Sequence, residues 1–205
     1  MRIGSFISSN LTPDGSLAQW SDGEIFRAIR NSVGANGNWL MIMSYTSANM
    51  LSDDDVKAVI AYLRTLPRSG GRTPEPPDRF NLLGLAMPGA DLLPAGKPIS
   101  TGTITSPPPG ATAEYSAYLV SYLDCRSCHG RELTGGVPGQ MTPLGPDPGV
   151  MKGWSLYNFI STMRTGTDPN GYALSRQMPW RSIGHRNNDE LAAMYAYVTS
   201  VFPGK

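Results

Sequence analysis

Two stretches of this 205-residue chain repeat one another. A repeat constrains the fold more than composition does, because both copies must solve the same packing problem. Trp20-Ser21-Asp22-Gly23-Glu24-Ile25-Phe26, followed by Ala28-Ile29-Arg30, resembles Trp154-Ser155-Leu156-Tyr157-Asn158-Phe159-Ile160 followed by Thr162-Met163-Arg164. After a slip of one residue the copies run at a constant offset of 135, Met43 with Met178, Asp54 with Asp189 and Ala61-Tyr62 with Ala196-Tyr197. One small fold used twice is the expectation.

Each copy opens and closes on a helix. Ser21 and Ser155 are N-cap candidates, Glu24 completes a capping box in the first copy, and Trp20 and Trp154 are placed to staple onto Ile25 and Phe159. The closing segments carry apolar residues at helical spacing, Val56, Val59, Ile60 and Leu63 in one and Leu191, Met194, Tyr195 and Val198 in the other, with Ser52 and Asn187 as caps. Between the copies, residues 67–111 hold ten of the eighteen prolines. Proline supplies no backbone donor, so this stretch is expected to be a linker without regular helix or central strand. Its apolar middle, Phe80 to Met87, is expected to lie along a domain surface. The reading is a mainly α chain of two helical domains joined by a Pro-rich linker: 1–66, linker 67–111, and 112–205. In the second, Tyr115, Tyr118, Leu119, Tyr122 and Leu123 form a helix that runs into Cys125.

The only cysteines are Cys125 and Cys128, in Cys125-Arg126-Ser127-Cys128-His129. Two thiols one helical turn apart and a histidine directly after them form the attachment signature of a c-type haem, with His129 as the proximal ligand. A redox dithiol and a disulfide are the competing readings. A zinc site lacks partners, since His185 is the only other histidine. The counterpart of Cys125 in the first copy would fall before residue 1. That copy is expected to be incomplete, without a haem-attachment motif, and Met1 is expected not to be the natural start; a true start with a haemless first domain is the alternative.

Together with Met178-Pro179, the Trp-Ser helix starts, Asn10-Leu11-Thr12-Pro13-Asp14 and the Ala-Tyr closing helices, this motif resembles the diheme members of the class I cytochrome c family, including cytochrome subunits of periplasmic dehydrogenases. The resemblance implies two cytochrome c-like domains and one covalent haem c in this chain, two in a full-length protein. It implies thioethers at Cys125 and Cys128, with His129 and Met178 on iron. His185, seven residues beyond Met178, is the competing distal ligand. Met43 is the corresponding ligand candidate for a first haem, although Met-Ser replaces Met-Pro and Met41 lies close by. Tyr115, Trp154 and Trp180 are candidates for lining the pocket, as is Arg164 for approaching a propionate, and ordinary packing or exposure explains each equally well.

A formal charge of +1 excludes the basic excess expected of a nucleic-acid binder. No apolar run approaches the roughly 18 residues of a bilayer-crossing helix, and the first residues lack the apolar core of a secretory signal. The expected function is electron transfer, as a carrier or as the cytochrome subunit of a periplasmic oxidoreductase, with redox proteins, a dehydrogenase subunit among them, as partners. A membrane would be reached only through a missing anchor or a partner. A haem peroxidase and a haemless interaction module are the alternatives.

Overall fold

The computed structural model describes residues 3–74, 78–90, 99–140 and 142–200. Met1 and four of the prolines in the 67–111 stretch, Pro76, Pro77, Pro94 and Pro98, lie outside them. The chain is mainly helical and divides into two compact units, Met1–Thr105 and Ser106–Lys205.

In the first unit, β1 (Gly4–Phe6) leads to a 3-10 turn and then α1 (Asp22–Asn31), α2 (Met41–Ser44), a second 3-10 turn and α3 (Asp53–Thr65). α1 starts where the capping box predicts: the Ser21 hydroxyl accepts from Glu24 N at 3.3 Å, and Ser21 N donates to the Glu24 carboxylate at 2.7 Å. Ser52 caps α3 by accepting from Asp55 N at 3.1 Å. The core joins Ile25 of α1 to Val56 and Ile60 of α3, with Trp20 packed against them as the staple requires.

β2 (Asp78–Phe80) pairs antiparallel with β1, Gly4 opposite Phe80 and Phe6 opposite Asp78, and α4 (Leu82–Gly89) follows. The proline-rich stretch therefore contains regular structure, against expectation. The physical reason is placement: residues 78–87 carry no proline, Pro88 enters only at the end of α4, and a strand in a two-stranded ribbon has a free edge. Phe80 packs edge-on against Phe6, with centroids 5.3 Å apart.

The second unit is built from α5 (Ala113–Tyr122), α6 (Cys125–His129), a 3-10 turn at Pro148–Met151, α7 (Leu156–Thr165), α8 (Trp180–Gly184) and α9 (Asn188–Ser200). Ser155 caps α7 by accepting from Asn158 N at 3.1 Å. Asn187 and Glu190 cap α9 reciprocally, at 2.8 and 3.1 Å. α5 crosses α9 at small residues, the Ser116 hydroxyl donating to the Ala193 carbonyl at 2.8 Å, and Leu119, Phe159, Met163, Ile183, Leu191 and Met194 close the core.

The repeat holds at the level of single hydrogen bonds. Leu40 N donates to Ser32 O and Leu174 N to Gly166 O, both at 2.8 Å; Gly34 N donates to Asn38 O and Asp168 N to Tyr172 O, both at 2.9 Å. Each first helix ends on a left-handed residue, Ser32 at φ 57° and Gly166 at φ 72°. Gly166 is further required because a Cβ there would run into the Trp180 ring.

The matched arginines do the same work in both units. Arg30 donates to Asn49 O and Asp53 Oδ1, at 2.8 and 2.7 Å; Arg164 donates to Gly184 O, Arg186 O and Asn188 Oδ1. Both arginines tie the first helix of the repeat to the start of the last; Arg164 does so from an exposed position. Arg30 is buried against a partly exposed Asp53, whose Oδ1 also accepts from Ile104 N at 3.2 Å, so losing the guanidinium leaves that carboxylate only partly paired. Arg30→Met is expected to cost about 2–3 kcal/mol, less than a fully enclosed pair because Asp53 keeps some solvent. Urea unfolding followed by circular dichroism measures it.

One difference between the copies follows from α5. On α9, Met194 is 4% exposed and Ala193 is covered; on α3, Val59 is 38% and Tyr62 65% exposed. The apolar face predicted for α3 is thus only half buried. Its periodicity is the same, but the covering helix of the second unit has no equivalent among the described residues of the first.

Candidate functional site

α5 carries the chain directly to the cysteine motif. It ends at Tyr122 with Leu123 as its C-cap, Asp124 turns the backbone through a left-handed conformation at φ 61°, and α6 begins at Cys125. Because α6 is barely more than one turn, Cys125 and Cys128 lie on one side of it. Both are free thiols. Burial, with the Asp124 carboxylate adding, pushes the Cys125 thiol up to about 11. That is the opposite of the lowered value that makes a reactive redox cysteine. In the haem-free chain, alkylation of Cys125 by iodoacetamide is expected to be slow at pH 8 and to rise through about pH 11, read by mass spectrometry. The sign for stability follows: the contribution is fully present below about 9.0, where the unfolded thiol is still protonated, and is lost as the pH rises towards 11.

The segment after α6 folds back over it. Gly135 N donates to His129 O, Gly145 N to Cys128 O and Gly136 N to Gly145 O, at 2.8, 2.8 and 2.9 Å. Thr142 Oγ1 donates to Ser127 O, and Gln140 Nε2 to Pro143 O at 2.9 Å. This strap brings Pro146 O to 2.8 Å from His129 Nδ1. A carbonyl oxygen only accepts, so Nδ1 carries the proton and Nε2 keeps its lone pair free to ligate. Gly145 makes the approach possible, since a Cβ there would lie 2.7 Å from His129 Nδ1.

A cavity of about 550 Å³ opens against this motif. Cys125, Cys128 and His129 line it from α6, Phe159, Thr162 and Met163 from α7, and Met178 from the loop before α8. Leu144, Val150, Met151, Trp154 and Leu174 complete much of its apolar wall. The volume and the dominance of apolar lining suit a large flat organic group. Met178 also packs against the core around Phe159 and Ile183, which fixes its loop.

His185 is exposed at the end of α8 and does not line the cavity. Nor do Tyr115 and Trp180. The Tyr115 hydroxyl donates to Glu190 at 3.4 Å, while Trp180 stacks under Arg181, whose guanidinium carbon is 4.4 Å from the ring. Of the three aromatic candidates, only Trp154 is in the wall. In the first unit, Met43 is half-buried on α2 beside the buried Met41, and that unit contains no cysteine. Among the described residues, no group of three or more His, Cys, Asp or Glu side chains is placed to hold a metal ion, and no helix is long and apolar enough to cross a membrane.

No protein-family model matches the chain. It is similar to components of two dehydrogenases. One of the nicotinate dehydrogenase subunits of Pseudomonas putida is 30% identical over 162 residues, 74% of this chain and 13% of that protein. The gluconate 2-dehydrogenase cytochrome c subunit of Pantoea cypripedii is 38% identical over 63 residues, 29% of this chain and 14% of that protein. The chain thus spans about a seventh of the length of each of these relatives.

Sequence reasoning missed Gly145, Pro146 and Thr162. The first two are visible only once the strap closes. Thr162 could have been noticed, because a threonine stands where the first copy has Ala28 on an otherwise apolar helix face.

Proposed function

We propose that the second unit carries one covalent haem c, attached through Cys125 and Cys128 with His129 and Met178 as axial ligands. The protein then transfers single electrons, as a carrier or as the cytochrome part of a periplasmic oxidoreductase. The observation that carries this reading is that both thiols, His129 with its Nε2 free, and Met178 face one apolar cavity of about 550 Å³. Haem would supply an iron that cycles between ferrous and ferric.

The chain's own residues hold and shield that group. The two thiols anchor it through thioethers, Pro146 fixes the histidine ring by its Nδ1 proton, and the apolar wall of Phe159, Met163 and Leu174 keeps water out. A thioether opposite an imidazole favours ferrous iron and raises the potential, which suits a carrier. With both axial positions taken, no substrate would reach the iron.

The similarity to a cytochrome c subunit and to a component of another dehydrogenase supports a dehydrogenase as electron donor or neighbour. Covalent haem attachment supports a periplasmic location. The first unit, on this reading, is a second copy of the same fold that holds no covalent haem here, for want of thiols. The test is covalent haem per chain by alkaline pyridine spectroscopy, after expression with a cytochrome c maturation system. One haem per chain is expected, and none would overturn the proposal.

A further inference from the structure

The cavity wall contains one polar atom with nothing to bond to. Thr162 is 1% exposed, lies on α7 between the wall residues Phe159 and Met163, and lines the cavity. Its hydroxyl finds no hydrogen-bond partner. It lacks even the back-bond to a carbonyl one turn earlier that helical threonines commonly take. Nor does it reach Met178, which lines the same space. A buried hydroxyl left unpaired is destabilising, and the matched position of the first unit is Ala28, which avoids that penalty. The hydroxyl oxygen itself is enclosed, although the residue lines the cavity, so an acceptor held there pairs with it only once the threonine side chain turns towards it.

We propose that the Thr162 hydroxyl donates a hydrogen bond to an acceptor brought into this cavity with the haem and thereby shifts the ferrous–ferric balance. The inference rests on the haem reading above. Two acceptors share the required chemistry, a carboxylate of the haem and the Met178 thioether once it ligates. A donor to either favours ferrous iron, by offsetting negative charge in the first case and by withdrawing electron density from sulfur in the second. Thr162 would act as a positioning residue, through the group it bonds.

Thr162→Val removes the hydroxyl with little change of shape, and Thr162→Ser restores it. In the haem-loaded protein, the valine variant is expected to shift the ferrous-to-ferric ratio at a fixed applied potential towards ferric, by at most about fivefold, because only the part of the hydrogen bond's strength that differs between the two oxidation states enters the ratio. The serine variant should return it to within about twofold of wild type, since the donor is again present. The urea midpoint should change in opposite directions: valine raises it in the haem-free chain, because an unpaired buried hydroxyl has gone, and lowers it in the haem-loaded protein, where the hydrogen bond is lost. A purely structural role would not reverse sign with loading. A changed pH dependence of the potential in the valine variant would identify a carboxylate acceptor. An unchanged pH dependence with easier displacement of the distal ligand by imidazole would identify the thioether. Haem present but the same ratio in the valine and wild-type proteins would overturn this inference alone. Absence of covalent haem in the wild type would overturn the haem reading, and this inference with it.

Discussion

Replacing both Cys125 and Cys128 by alanine is expected to abolish covalent haem, from one per chain to none that survives acidified organic extraction. Each thiol forms one thioether, so each single variant should retain haem through one bond at reduced yield, while the double variant retains none. The double variant should still fold. Neither cysteine belongs to the buried core around Leu119, Phe159 and Leu191, and the backbone bonds of the strap, Gly145 N to Cys128 O and Gly135 N to His129 O, use no side chain. Circular dichroism would show helices retained while the haem absorbance is gone. Undiminished covalent haem in the double variant would overturn the attachment assignment.

Met178→Ala carries the second large effect. Loss of the thioether should lower the midpoint potential by on the order of 0.1 V, since axial ligation is the strongest lever a protein has on haem iron. The variant should also bind carbon monoxide in the ferrous state, giving a spectrum the wild type lacks. His185 supplies the contrast: exposed and outside the cavity wall, it can be changed to alanine with neither effect. If His185→Ala lowered the potential and Met178→Ala did not, the distal assignment would be reversed. A modest loss of stability in Met178→Ala, about 1–2 kcal/mol from its half-buried packing against the second unit's core, should accompany the spectral change. Urea unfolding separates that cost from the loss of a ligand.

The parts of this molecule that were legible in the sequence are those written in short-range chemistry. Capping at Ser21, Ser52, Ser155 and Asn187, the helix that delivers Cys125, and the Cys-Arg-Ser-Cys-His spacing all depend on residues within about one turn of each other. The repeat is also legible, because a constant offset needs no knowledge of contacts. The limits are equally specific. Prolines between residues 67 and 111 suggested an unstructured linker, yet the ten residues between Pro77 and Pro88 were free to form β2 and most of α4. Val59 had the spacing of a core residue and is exposed, because spacing says which face is apolar but not whether another helix covers it.

By itself the sequence determined that the chain is helical, that two stretches of it repeat one another, and that two thiols and a histidine sit together on a single turn. Only the tertiary structure decided what meets them. Met178 lines the cavity of His129 and His185 does not; the loop before α8 packs on the core, and Gly166 leaves room for the Trp180 ring beside it. The histidine tautomer depends on Pro146, which arrives through a strap closed by three backbone hydrogen bonds and a glycine with no Cβ to strike the ring. Those are contacts between residues far apart in the chain. Their geometry comes from packing and long-range hydrogen bonding, which periodicity and spacing do not encode.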